Sequence, residues 1–171
     1  CCSRLRHEVR VMRGFWYGLF AISVMIGCRD PVADARVDSL GPEPGPYEQG
    51  PDHRPGQPCT WCHRPGGESP HFDLAGTVFL RSDSKEPARS VVVQLFDSSG
   101  RTRTRVTGVS GNFHFEEDEL ELEFPLWVRL EFEGQVRAMH TPIFRERSCG
   151  ACHGDPASPS KAGHVFLLED E

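Results

Sequence analysis

A mainly β fold, a small antiparallel β-sandwich flanked by two loop-rich segments, is the architecture that this sequence predicts. Three observations carry the prediction. Leu126, Val128, Leu130 and Phe132 alternate with Trp127, Arg129 and Glu131, the period of two expected of a strand with one buried face. Turn-forming residues recur between short β-rich runs, at Asp97-Ser-Ser-Gly100 and at Gly108 and Gly111. No long amphipathic helical pattern stands out anywhere in the 171 residues. Hydrophobic content of 37% supports a packed core, while 17 Gly and 14 Pro assign much of the chain to loops.

The elements follow in order. Residues 74–80 are β-rich, and residues 91–96 form a second apolar strand ended by the Asp97–Gly100 turn. The polar run 101–107 reads as an edge or half-exposed strand. In residues 112–115, Phe113 and Phe115 share one face and His114 takes the other. The acidic stretch over 116–119, with Glu121 and Glu123, lacks the ligand spacing and Gly of a calcium hand and reads as a solvated loop. The strand over 126–132 comes next, and a last strand is expected over 163–168. Short strands so spaced indicate a sandwich. The order Gly76-Thr-Val, then 91–96, then Ser110-Gly-Asn-Phe-His-Phe115 resembles the carboxypeptidase regulatory-like, transthyretin-like β-sandwich over about 74–138. That resemblance implies a module that supports or binds, and it brings no catalytic residues.

Ahead of the sandwich, Arg4, Arg6, Arg10 and Arg13 precede an uncharged run over 15–27. The run is shorter than the roughly 20 apolar residues that span a bilayer, and a basic stretch before a short apolar core is the plan of a secretory signal. It closes on Met25-Ile26-Gly27-Cys28, which resembles a bacterial lipobox with Met25 where Leu is preferred. The resemblance implies an exported periplasmic, outer-membrane or cell-surface lipoprotein, lipidated at Cys28 and held to the membrane by that anchor. A buried helix with an ordinary core cysteine, and a secreted protein cut elsewhere, are the alternatives. The chain opens on Cys1, and Met12 is read as the start. Residues 29–58, rich in Pro and Gly, are expected to form an extended, poorly ordered linker. The expected division is therefore leader 1–28, linker 29–58, first motif segment 59–73, sandwich 74–140, and second motif segment with a terminal strand 141–171.

The chemistry lies in two pentads, Cys59-Thr-Trp-Cys62-His63 and Cys149-Gly-Ala-Cys152-His153. Each matches the haem c attachment signature. Two thiols three positions apart can each form a thioether to a haem vinyl group, and the following His presents its imidazole as an axial iron ligand. The pair of pentads resembles a dihaem c-type cytochrome, which implies two covalent haem c groups, electron transfer rather than substrate turnover, and redox proteins as partners. Three other readings stay open. Paired Cys-x-x-Cys motifs, or disulfides, can staple a cell-surface β-sandwich around zinc or sulfur, though zinc leaves both following histidines unexplained. A redox dithiol expects a βαβ context that is missing here. A haem enzyme would require one iron with no sixth protein ligand.

For the sixth ligands, His71 follows His63 by eight residues and His164 follows His153 by eleven, gaps that an extended chain can carry across a haem. Each haem segment is thus expected to hold its own distal histidine, with His140 competing at the second. His53 and His114 are further histidines, and His114 reads as a surface residue. Met139 reads as packing. The net charge of −6, made up of +3 over residues 1–27 and −9 over the remainder, argues against nucleic acid and is compatible with basic protein partners. No nucleophile elbow, phosphate loop or His-Glu-x-x-His pattern is present.

Overall fold

The structure is a computed structural model that describes residues 30–43, 45–47, 49–67, 69–116, 123–154 and 161–168. The expected leader with Cys28, and most of the acidic loop, lie outside the described residues. Among the described residues six strands form two antiparallel sheets: β1 (Phe72–Thr77) with β4 (Asn112–Glu116), and the order β3-β2-β5-β6 built from β2 (Val92–Phe96), β3 (Thr102–Val106), β5 (Trp127–Phe132) and β6 (Gln135–Ala138). The predicted mainly β sandwich is the fold.

Alternation places the core between the sheets. On the small sheet Leu74 pairs with Phe115 and Gly76 with Phe113. On the large sheet Val93 lies opposite Leu130 and Leu95 opposite Val128. Leu74, Phe113, Phe115, Val93, Leu95, Val128 and Leu130, with Val78, Val91, Leu126 and Leu167, form one buried cluster. His114 points away from it, as the period of two requires. β3 is the exposed polar edge expected, and its Arg103 and Arg105 discourage pairing with other chains. The opposite edge, β6, was not foreseen. It returns through the two-residue turn Glu133-Gly134, both with positive φ (48° and 81°), the hairpin geometry whose twist suits flanking strands.

Two expectations are corrected. The terminal segment 163–168 is not a sheet strand. It runs beside residues 79–82, where the Phe79 N–H donates to Val165 O (2.8 Å) and the Leu168 N–H to Leu80 O (2.8 Å). The reason is that β1 ends at Thr77: the Leu80 N–H turns to Glu86 O (2.9 Å), so only single bridges extend beyond it. Nor do the described residues of the 29–58 segment form an extended tether. Asp30 caps helix α1 (Pro31–Asp38) by accepting from the Val32 and Ala33 N–H groups at 3.0 and 3.1 Å, with Pro31 in the first turn. Residues 51–57 are then fastened to the sandwich. Asp52 Oδ1 accepts from the Ser110 N–H (3.2 Å) and hydroxyl (2.8 Å), and the Gly56 N–H donates to Thr77 Oγ1 (2.8 Å). Among the described residues no helix is long and apolar enough to cross a membrane.

The Asp97 turn gives a testable pH dependence. Its carboxylate, buried at the end of β2, accepts from the Ser99 N–H and hydroxyl (3.0 and 2.6 Å) and from the Arg101 N–H and Nε (2.9 and 2.8 Å). The Ser99 hydroxyl first, and then Arg101, hold this carboxyl well below the usual carboxylate range. A depressed folded-state pKa stabilises above the unfolded value of about 4 and loses that stabilisation as pH falls below it. Asp97→Asn is therefore expected to lower stability at neutral pH and to flatten the acid limb of a pH–unfolding series. An acid limb identical to that of the unmodified chain would contradict this assignment.

Candidate functional site

Both pentads fold into the same object, one helical turn. Cys59–Trp61 is a 3-10 turn after Pro58, and the His63 N–H donates to Cys59 O (3.0 Å). Cys149–Cys152 is a single turn, α2, after Ser148, and the His153 N–H donates to Cys149 O (2.8 Å). A helical turn puts positions i, i+3 and i+4 on one face. The two cysteines and the histidine of each pentad stand at those positions; in the second, Cys149 is half-buried against Gly76 and Cys152 is exposed. All four cysteines are free thiols. Burial raises the Cys59 pKa to about 11 and the Cys149 pKa to about 12, the latter helped by the neighbouring Cys59 and Cys152, so both are neutral thiols at pH 7.

The histidines are oriented by backbone carbonyls. His63 Nδ1 lies 2.7 Å from Pro70 O, and His153 Nδ1 lies 2.9 Å from Gly163 O. A carbonyl only accepts, so Nδ1 carries the proton and Nε2 keeps its lone pair. That is the tautomer of a metal ligand whose other nitrogen is tied to an outer partner. His63 is 8% exposed, and its ring stacks on Phe72 at 3.9 Å and 9°. Burial lowers its pKa, opposed by the Pro70 carbonyl and helped by smaller contributions from His53 and His114. The free thiols and the tethered imidazoles are the donor types that haem c requires.

β1 brings the two turns together. The Phe72 N–H donates to His63 O (3.2 Å), which joins the first pentad to the start of the strand. Farther along, the Ala75 N–H donates to Arg147 O (3.0 Å), and Arg147 Nη1 also reaches Asp73 Oδ1 (3.0 Å). The second pentad is thereby laid against Gly76, where a Cβ would meet Cys149 Sγ at 2.6 Å. Gly150 in turn abuts the backbone of Gln57, within 2.6 Å of where its Cβ would stand. Glycine at both positions lets the two pentads, distant in sequence, sit side by side. Among the described residues no three His, Cys, Asp or Glu side chains gather around one metal position.

The remaining histidines are distributed unevenly. His164 is 5% exposed, with Nδ1 2.7 Å from Ser84 O and its ring stacked on Phe79 at 4.1 Å. It directly follows Gly163, whose carbonyl holds His153. His71 is half-buried just before β1, and His140 is exposed just after β6. His114 is half-buried, stacks on Phe72 at 4.4 Å, and has Nε2 3.8 Å from Glu116 Oε1. His53, which the sequence placed in a linker, lies 5.7 Å ring to ring from His63. The signal for it was the turn chemistry around it, Gly50-Pro51-Asp52 before and Pro55-Gly56 after. Comparisons with protein-family models, curated proteins and solved structures find no match for this chain.

Proposed function

We propose that this protein is an exported dihaem c-type cytochrome that carries electrons and transforms no substrate. The observation that carries the reading is the doubled turn: two Cys-x-x-Cys-His pentads, each a single helical turn whose His N–H donates to the first cysteine's carbonyl and whose histidine Nδ1 is tied to another carbonyl. Cys59 and Cys62 would hold one haem c and Cys149 and Cys152 the other, each thiol adding its S–H across a vinyl double bond. His63 and His153 would be the proximal ligands, and His164 is the second ligand this reading assigns near His153. Haem c, when bound, supplies a one-electron iron couple whose potential depends on axial ligands, burial and hydrogen bonds. The chain's own part is to fix the imidazole tautomers through Pro70 and Gly163, to stack Phe72 on His63 and Phe79 on His164, and to hold both pentads against β1. The sandwich, in keeping with its regulatory-like resemblance, acts as scaffold, and the net charge of −6 steers basic redox partners toward it.

Single-cysteine variants test this reading. In a host competent for cytochrome c assembly, Cys62→Ala and Cys152→Ala are each expected to impair one attachment site, seen as reduced visible absorption that persists in denaturant. A colourless unmodified protein would instead favour the zinc- or disulfide-stapled binding sandwich. Placement is tested separately: with Cys28 as the lipidated residue, Cys28→Ser should release the protein from membranes or block its processing. Unchanged membrane association of that variant would remove the lipid anchor and leave electron transfer untouched.

A further inference from the structure

Four histidines among the described residues share one device: Nδ1 set against a backbone carbonyl. They are His63 on Pro70 O, His153 on Gly163 O, His164 on Ser84 O, and His53 on Gly50 O. In the first three the device belongs to an assigned iron ligand. His53 has no such assignment, yet more holds it than a loop residue needs. Its carbonyl accepts from Asn112 Nδ2 (2.9 Å), which also reaches Pro51 O (3.2 Å), so β4 grips the chain on both sides of Asp52. Asp52 is bonded twice to Ser110, and Gly56 is bonded to Thr77. These bonds fix a loop with almost no apolar content, and what they position is one imidazole.

We propose that His53 is the second axial ligand of the iron held at Cys59, Cys62 and His63. Its ring centre is 5.7 Å from that of His63, at an interplanar angle of 35°. Two imidazoles sharing one metal through Nε2 have ring centres about 6 Å apart, from two metal–nitrogen bonds of roughly 2 Å and the half-rings beyond them. In the neutral ring the tether to Gly50 O places the proton of His53 on Nδ1 and leaves the lone pair on Nε2. His114 is screened from His63 by Phe72, on which both rings stack. Pro70, the neighbour of His71, meets His63 at the Nδ1 edge, not at the nitrogen that would bind iron.

This inference rests on the dihaem reading, and its test separates the two. Unmodified protein, His53→Ala, His53→Gln and His71→Ala are matured in the same assembly host. Intact mass counts covalent haem, and ferric electron paramagnetic resonance with carbon monoxide binding to the reduced protein reports open iron. Gln keeps an amide donor and similar bulk, so the two His53 variants together separate lost ligation from lost folding. Both are expected to keep two covalent haems while one of the two irons becomes high-spin and binds carbon monoxide, and added imidazole should restore the low-spin signal. His71→Ala should match the unmodified protein. Low-spin iron throughout in both His53 variants, or an open iron produced by His71→Ala, would overturn the assignment of His53 and leave the haem reading standing. Absence of covalent haem from the unmodified protein would overturn both.

Discussion

Replacing Phe115 by Ala is expected to remove about 4 kcal/mol of folding stability. Phe115 is the largest of the fully buried side chains, 1% exposed at the centre of the sandwich. It pairs across the small sheet with Leu74, meets Phe113 edge-on at 6.3 Å, and lies under the Arg105 guanidinium at 5.1 Å. Truncation loses the transfer energy of the ring and leaves a cavity between two hydrogen-bonded sheets, which cannot close on it. The Arg105 contact with the ring is lost as well. Domains are stable by only about 5–15 kcal/mol, so such a loss is a large share of the total. Urea unfolding should show a lower midpoint with an unchanged slope. A loss below about 1 kcal/mol would mean that the core is not packed as described.

Gly111→Ala is expected to cost about 3 kcal/mol, and here two causes add. Gly111 has φ +77°, a conformation that costs a residue with a Cβ roughly 1–2 kcal/mol. The added carbon would also stand 2.2 Å from the Val78 carbonyl oxygen, a backbone atom bonded to the Ala88 N–H (2.9 Å) and unable to swing aside. Gly111 O itself accepts from the Val78 N–H (2.9 Å), so any shift breaks the junction between the small sheet and the chain leaving β1. Its neighbour Ser110 holds Asp52, so the strain should reach the loop carrying His53. Proteolysis in the 50–58 segment should therefore rise along with the loss measured by urea. A variant as stable as the unmodified chain would contradict the turn geometry.

The sandwich was legible because its strands obey a rule that the order of residues displays directly. Phe113 and Phe115, or Val128 and Leu130, bury one face, and alternation reports that face directly. β6 escaped notice because an edge strand such as Gln135–Ala138, exposed along most of its length, has no apolar face to advertise. The misreading of 29–58 has a different cause. Proline, glycine and low hydrophobicity predict that burial cannot fix the segment, but its 51–57 part is held by polar bonds from Asp52, Gly56 and Asn112. Bonds of that kind join residues far apart in sequence and leave no periodic trace. The pentads were legible at once, since their chemistry is local. Their contact was not, because it depends on Gly76 and Gly150 leaving room for another segment, which appears only when β1 is folded.

The central claim is most directly tested by the intact mass of the unmodified protein, purified in denaturant after expression with a competent cytochrome c assembly system. The account predicts the processed chain plus two covalently bound haems, one at Cys59 and Cys62 and one at Cys149 and Cys152. A mass equal to the chain alone, with all four cysteines free or joined as disulfides, would contradict it.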